Sequence, residues 1–210
     1  MKLKNLAIVL FGLLGLTTLS GAYDLNVPHT WAERYIANLP KQKLSEQEKN
    51  AILYMVEEEK LARDVYLTLY KRWRLPIFRN IARSEQHHMN MVRVLFQKYG
   101  LPDPTKEKGI GEFQNEELQK LYNELVEKGS NSLLDALHVG ALIEELDIKD
   151  LEECLKGTDN RDIQIVFKNL MKGSRNHLRA FVRLIYRFGG TYQPQILSQE
   201  EVQKNTINKD

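Results

Sequence analysis

The sequence predicts an all-α protein built as a bundle of four long helices with one long connection. Apolar residues recur at helical spacing over four long segments, and no segment shows a convincing strand pattern. Short connections join the helices in two pairs, and about thirty residues separate the pairs, which is enough for a crossover along the bundle. With 210 residues and 42% hydrophobic content, the chain can bury one core.

The first 22 residues have the layout of a secretory signal peptide. Lys2 and Lys4 precede an apolar run over residues 6–16, and small residues follow up to Ala22. We therefore expect cleavage after Ala22, export to the periplasm or the extracellular space, and no stable membrane anchor afterwards. An uncleaved anchor helix is the alternative, although the apolar run is short for a membrane span.

Composition excludes several classes of protein. The formal net charge is only +2, and both signs are interspersed among the 28% of charged residues, which gives no case for nucleic-acid binding. Cys154 is the only cysteine, so the chain forms no internal disulfide and builds no cysteine-ligated iron or zinc centre by itself. Stability must therefore come from packing.

The N-terminal part of the mature chain is predicted to be an extended segment over residues 23–44, since Pro28 and Pro40 interrupt it. The first long helix follows Ser45, whose side chain suits an N-cap, and it ends before Pro76. The second long helix runs from about residue 77 to residue 99, where a Gly and a Pro follow.

The second pair of long helices follows a loop and a shorter amphipathic helix that ends at Gly129. The third long helix begins after Ser132, and the fourth runs from about Arg161 to Phe188. The predicted bundle thus covers residues 45–195, and the predicted polar C-terminal tail covers residues 196–210.

Each of the four helices carries at least one ionisable residue on its apolar face. Glu59, Glu144 and His177 lie within the stripes of the first, third and fourth helices, and Glu85 and His88 lie one turn apart on the second. A buried carboxylate costs several kcal/mol unless it is paired or binds a cation. Oxygen and imidazole ligands suit iron or manganese, with zinc as a further candidate. The predicted metal ligands are Glu59, Glu85, His88, Glu144, Asp147 and His177.

Several of the ionisable residues also have a simpler interpretation. The run of Glu residues 57–59 reads by itself as a solvated charge run, and Glu58 rivals Glu59 for the inward position. Arg63 and Asp64 are expected to form a structural ion pair. On the second helix His87 is predicted to face solvent.

Four segments carry a resemblance to a known family. They are "MVEEEKLARDVYLTL", "FRNIARSEQHHMNMVRVLFQKYG", "ALHVGALIEELDIKDL" and "GSRNHLRAF". In this order they resemble the bacterial and archaeal family named domain of unknown function 2202, within the ferritin-like superfamily, over about residues 45–195. The resemblance implies a ferritin-like four-helix bundle with a long crossover carrying a short extra helix.

The resemblance also bears on the metal ligands. "EEEKLARDVY" is similar to the first metal-binding helix of rubrerythrin, in which a ligand Glu precedes a Tyr by seven residues, and this favours Glu59 over Glu58 because Tyr66 follows Glu59 at that interval. The superfamily pattern expects Glu three residues before His177, where this chain has Ser174. Three outcomes stay open: Asp147 supplies the lost carboxylate, the site is asymmetric, or only one metal ion binds tightly.

The function that these residues predict is that of a di-iron carboxylate oxidoreductase. Two iron ions, bridged by Glu59 and Glu144 and ligated by His88 and His177, would react with O₂ or peroxide as a ferroxidase or a peroxidase, with Tyr66 as a catalytic hydrogen-bond donor. The chain lacks the cysteines of the rubredoxin-type donor of rubrerythrins, so turnover would need an external electron donor. The alternative is a non-catalytic module that binds a metal ion or a partner. A homodimer is compatible with either.

Overall fold

Over residues 30–207, which are the part of the chain that our computed structural model describes, seven helices and no strand form a helical bundle. The all-α prediction is confirmed for these residues. The predicted signal peptide and the first residues of the predicted extended segment lie outside them. The helices are α1 (Trp31–Asn38), α2 (Glu46–Trp73), α3 (Pro76–Tyr99), α4 (Glu116–Gly129), α5 (Leu133–Lys156), α6 (Arg161–Arg187) and α7 (Gln199–Ile207).

The long helices α2, α3, α5 and α6 begin and end close to the predicted residues, and their caps explain why. The Ser45 hydroxyl accepts a hydrogen bond from the Glu48 N–H, and the Glu48 carboxylate accepts one from the Ser45 N–H. Ser132 caps α5 in the same way by accepting from the Asp135 N–H. Gly100 ends α3 in the left-handed conformation, with φ of 71°, which costs glycine little.

In the bundle α2 packs against α3 and α5, and α6 packs against α5 and α3. The hydroxyl of Tyr66 lies near Gly140, whereas that of Tyr54 lies near Asp150, so α2 and α5 run antiparallel. A tight turn makes α3 antiparallel to α2 as well. The connection over residues 100–132 therefore returns along the length of the bundle, and within it α4 packs against α2 and α5. None of the described helices combines the length and the hydropathy that crossing a membrane requires.

A polar layer divides the hydrophobic core into two parts. On α2, Ile52 and Met55 belong to one apolar cluster, and Leu61 and Leu69 belong to the other. The buried charged residues 57–60 lie between them. Glu85 of α3, Glu144 of α5 and His177 of α6 lie at the same level, so the polar layer is enclosed by packed apolar side chains on both sides.

The prediction of an extended segment over residues 23–44 is wrong for α1. Thr30 caps this helix by accepting a hydrogen bond from the Glu33 N–H at 3.1 Å, and the Glu33 carboxylate accepts from the Thr30 N–H at 3.0 Å. Ile36 is buried in the cluster between α3 and α6. Eight residues are too few to show a clear period, so tertiary packing decides whether this segment is helical.

The C-terminal segment also differs from the predicted polar tail over residues 196–210. Leu197 and Val202 are buried in the main apolar cluster, and α7 packs against α6. Two apolar residues in a polar sequence give almost no periodic signal, although each contributes roughly 1.5–3 kcal/mol when it is buried.

Glu145 holds this segment in place. Its carboxylate accepts hydrogen bonds from the backbone N–H groups of residues 195–197, at 2.8–3.2 Å, and from the Tyr192 hydroxyl. Glu145 therefore lies on a different side of α5 from Glu144, as its position on the helical wheel indicates. Its burial is structural, since four donors satisfy it.

We predict that Glu145→Gln lowers the free energy of unfolding by about 1–3 kcal/mol, because an amide oxygen replaces the two charged acceptors of these donors. Urea denaturation followed by circular dichroism measures this. Glu153→Gln on the same helix is the control, since Glu153 forms exposed ion pairs with Lys149 and Lys156, and it should leave the free energy of unfolding nearly unchanged. Equal effects of the two variants would contradict the role of Glu145.

Candidate metal centre

The polar layer contains two groups of side chains that could hold a metal ion. One consists of Glu59 from α2 with Glu85 and His88 from α3. The other consists of Glu85 with Glu144 from α5 and His177 from α6. Within each group the ligand atoms all lie within 4.8 Å of one another. The structure thus brings together five of the six predicted ligands, and all four long helices contribute.

Glu85 is the side chain that both groups share. Its Oε2 atom lies 2.7 Å from Nδ1 of His88, and its Oε1 atom lies 2.8 Å from Nδ1 of His177. Nδ1 of His88 also lies 2.9 Å from Oε2 of Glu59, and Nδ1 of His177 lies 3.4 Å from Oε2 of Glu144. The sequence predicted Glu59 and Glu144 as the bridging groups, whereas in the structure each of them faces a single histidine.

The three carboxylates are buried deeply, and the two imidazoles nearly so. Glu85 and Glu144 are 0% exposed and Glu59 is 2% exposed, while each histidine side chain keeps 12% of its surface accessible. His87, next to His88 in the chain, is exposed, as its position on the helix predicts. The histidines therefore form the side of the centre nearest to solvent, and their rings stack with centroids 5.6 Å apart.

The electrostatics of the site set the protonation of these groups. Burial disfavours the imidazolium form of His177, but the Glu85 and Glu144 carboxylates outweigh this and raise its pKa to about 10. Glu59 and Glu85 likewise raise the pKa of His88 despite its burial. Burial raises the pKa of Glu59 to about 7 against the lowering effect of His88, whereas both histidines hold the pKa of Glu85 well below its usual range despite its burial. Without a metal ion, protons on the histidines balance the carboxylates.

The hydrogen bonds of the site are incomplete in a way that suits a cation. Both oxygens of Glu85, Oε2 of Glu144 and Nδ1 of His177 are buried, and the contacts of the carboxylate oxygens with the histidine Nδ1 atoms, at 2.7–3.4 Å, lack the direction of good hydrogen bonds. Buried polar atoms normally make well-directed hydrogen bonds, so this geometry suits a cation as the common partner of these atoms. Carboxylate oxygens and imidazole nitrogens are ligands of iron, manganese and zinc, so the donor set fits such an ion.

The Tyr66 side chain contacts the Glu144 carboxylate of the metal centre. Its hydroxyl donates a hydrogen bond to Oε1 of Glu144 at 2.6 Å, and the carbonyl oxygen of Gly140 lies 3.2 Å away. Burial, followed by the charge of Glu144, raises the pKa of Tyr66, so its proton is held firmly. Tyr66 therefore orients Glu144 and leaves the other Glu144 oxygen directed at His177.

Asp147, a predicted ligand, and Ser174, which stands where the superfamily pattern expects Glu, contribute no ligand to either group. The Ser174 hydroxyl donates to the carbonyl oxygen of Leu170, one turn back on its own helix, at 3.2 Å. Asp147 is 2% exposed and lies beside the centre without belonging to either group. The α6 helix therefore supplies His177 and no carboxylate, whereas α3 supplies both a carboxylate and an imidazole, so the helices contribute unequally.

The run of Glu residues 57–59 is buried and is not a solvated charge run. The Glu57 carboxylate accepts hydrogen bonds from the N–H groups of Gln114 and Asn115 at 2.6 and 3.2 Å, and so it fixes the start of α4. Glu58 faces α5, and Glu59 alone reaches the metal centre. Arg63 and Asp64 form the predicted ion pair at 2.8 Å.

Sequence reasoning missed two residues that hold the histidine rings. The Ser84 hydroxyl lies 3.0 Å from Nε2 of His177, so its oxygen can accept a hydrogen bond from the Nε2–H group and leave Nδ1 free as a ligand. A Cβ atom at Gly173 would lie 2.4 Å from Nε2 of His88, so only glycine admits this ring. The signal in the sequence was Gly173 itself, because a glycine inside a long helix often marks the close approach of another group.

We predict that Gly173→Ala lowers metal affinity about 10- to 100-fold, because the added methyl group displaces the His88 ring from Glu59 and Glu85. The same change stabilises the helix by up to about 1 kcal/mol, so the metal affinity should fall while the stability of the metal-free protein does not. Isothermal titration with Co²⁺ and thermal unfolding measure the two. Ser174→Ala is the neighbouring control and should keep the affinity; unchanged affinity in Gly173→Ala would contradict this role of the glycine.

Comparisons with other proteins agree with the motifs in the sequence. The family described as Uncharacterized protein domain (DUF2202) matches residues 48–209. Over 170 residues the chain is 58% identical to the uncharacterized protein MJ0754 of Methanocaldococcus jannaschii, a match that covers 81% of this chain and 92% of that relative. The crystal structure of the hypothetical protein MJ0754 from Methanococcus jannaschii is similar with a TM-score of 0.80 and 56% identity, over 81% of this chain and 98% of that one. The chain therefore belongs to the DUF2202 family of uncharacterized protein domains.

Proposed function

We propose that this protein binds two metal ions in a ferritin-like bundle and acts as a di-iron carboxylate oxidoreductase on O₂ or peroxide. The observation that carries the proposal is the position of Glu85 between two groups of ligands, with one carboxylate oxygen directed to each histidine. A single carboxylate between two sites is the arrangement that brings two ions close enough to share one substrate. The long connection that contains α4 supports the ferritin-like assignment.

The chemistry that iron would supply here is the transfer of electrons to O₂ or peroxide. The protein's own groups would hold the ions and manage charge and protons. Glu59 and His88 would hold one ion, and Glu144 and His177 would hold the other. Glu85 would help to hold both ions. The apolar clusters on each side of the polar layer exclude water from the carboxylates, which strengthens their interaction with a cation.

Tyr66 is the residue that we assign to holding a proton at Glu144. Its hydroxyl donates this proton in the hydrogen bond to Oε1 of Glu144, 2.6 Å away, and no water is needed between them. Tyr66 would keep this oxygen oriented and leave Oε2 of Glu144 to hold the metal ion. We also propose that the protein acts after export, where an external reductant would supply electrons.

Ser174 favours a second candidate function, a non-catalytic module that holds metal for stability. Its hydroxyl is bound to the carbonyl oxygen of Leu170, so α6 supplies no second bridging carboxylate. With fewer negative charges, the centre would stabilise Fe(III) less. Manganese or zinc could then occupy the same ligands without redox chemistry.

We predict that the wild-type protein binds two Fe²⁺ ions per chain and that Glu85→Ala loses both, because both groups share this carboxylate. His88→Ala and His177→Ala should each lose one ion and keep the other at reduced affinity, since each removes a ligand of one group only. Anaerobic titration with a colorimetric assay of bound Fe²⁺ counts the ions. His87, the exposed neighbour of His88, offers a matched control, and His87→Ala should bind both ions.

The reaction itself is tested by mixing the anaerobically loaded protein with O₂ or H₂O₂. Consumption of the oxidant and loss of Fe²⁺ faster than in Glu85→Ala would support the oxidoreductase. Two bound ions with no faster oxidation would favour the non-catalytic module. Absence of bound metal in the wild-type protein, with unchanged stability in His88→Ala and His177→Ala, would refute both.

We predict that metal binding releases at least two protons per chain near pH 7 and strengthens as the pH rises, since Glu59, with a pKa of about 7, is also partly protonated there. Both histidines are in the imidazolium form in the metal-free protein, because the neighbouring carboxylates raise their pKa, to about 10 for His177. Each Nδ1 proton must leave before a metal ion binds, so the affinity should rise about tenfold per pH unit for each ion between about pH 6 and 8. Titration calorimetry in two buffers of different ionisation enthalpy measures the protons; an affinity independent of pH would contradict this.

A further inference from the structure

Acidic side chains continue beyond the metal centre along α5. Glu144, Asp147 and Asp150 follow one another at three-residue intervals, which places them on one side of the helix. The exposed fraction is 0% for Glu144 and 2% for Asp147, and Asp150 is only half-buried. The row therefore leads from the interior of the bundle towards solvent.

Asp147 is the middle member of this row and is left without a partner. Both of its carboxylate oxygens are buried and make no hydrogen bond. After burial itself, the groups that raise its pKa are all carboxylates, with Glu58 first, then Glu59 and Glu144. The Asp147 carboxyl group thus faces the metal centre on one side and Glu58 on the other, and a proton or a cation must offset the repulsion among these groups.

Glu58 and Asp150 form the outer part of the same cluster. Their carboxyl groups lie within hydrogen-bonding reach of each other, and the Tyr54 hydroxyl donates to Oδ2 of Asp150 at 3.2 Å. Two adjacent carboxylates repel each other unless a proton or a cation lies between them. After burial, the charges of Glu58, Asp150 and Asp147 also raise the pKa of Tyr54, so these four side chains are neighbours across α2 and α5.

The nearby buried lysine does not neutralise this cluster. Lys60, two residues from Glu58 on α2, donates through Nζ to Asp64 and to the carbonyl oxygen of Gly109 at 2.7 Å. Its ammonium group also lies 4.4 Å from the centre of the Phe113 ring. The charge of Lys60 is thus used to hold the connection between α3 and α5.

We propose that Asp150, Glu58 and Asp147 form a binding path along which divalent cations pass between α2 and α5 to the metal centre. The proposal rests on the proposed metal-binding function and adds a route to it. Asp150 would bind the cation at the half-buried end, and Asp147 would pass it to the ligands at Glu59 and Glu144. Oxygen ligands that are not closely assembled bind a cation weakly, as a transit position requires.

The test is the rate of metal loading, measured by stopped-flow mixing of metal-free protein with Co²⁺ and detection of its visible absorbance. Asp150→Asn and Glu58→Gln should load at least about tenfold more slowly than the wild-type protein and reach the same number of bound ions, since each replaces a carboxyl group that a cation can bind by an amide and leaves the ligands in place. Glu153→Gln is the matched control, because it removes an exposed carboxylate three residues beyond Asp150, and it should load at the wild-type rate.

Each outcome separates this proposal from the proposed function. Wild-type loading rates in both Asp150→Asn and Glu58→Gln, with two ions bound, would overturn the path and leave the metal centre intact. Fewer bound ions at saturation in either variant would also overturn it, because the residue would then be a ligand. A wild-type protein that binds no Co²⁺ would overturn both. Circular dichroism of each variant confirms that it is folded, and the two variants lie on different helices.

Discussion

The burial of five ionisable side chains at one level of a helical bundle is the constraint on which the rest of this structure depends. Glu59, Glu85, Glu144, His88 and His177 lose most of their contact with water, and burying each charge alone would cost several kcal/mol. Their mutual attraction offsets this only if carboxylates and imidazoles alternate in space. The structure achieves this alternation by placing Glu85 between the two histidines. The buried oxygen and nitrogen atoms of the centre that lack a well-directed hydrogen bond are those that a metal ion would bind.

The surroundings of the centre are arranged to keep these groups in place. Two apolar clusters enclose the polar layer, and Tyr66 fixes one oxygen of Glu144. Ser84 and Gly173 set the positions of the two imidazole rings, one by a hydrogen bond and the other by leaving room. The geometry of the ligands is thus a property of four helices together, and a single methyl group in the wrong position would disturb it.

The long helices were predictable because each one carries its own repeated signal. A stripe of apolar residues over six or seven turns, with Ser45 or Ser132 as a cap, indicates a helix whatever lies next to it. The short helices α1 and α7 were not predictable in this way. Their burial depends on single residues such as Ile36 and Leu197, and on donors to Glu145 that come from fifty residues away along the chain.

The sequence by itself determined the elements of the site, because the interval between Glu85 and His88 and the position of His177 in an apolar stripe are properties of one helix at a time. Only the tertiary structure decided how the helices combine them. It made Glu85 the shared carboxylate, left Asp147 beside the centre, and turned Ser174 back onto its own helix. The physical reason is that distances of about 3 Å between atoms on different helices depend on packing across the whole core, which no local pattern records.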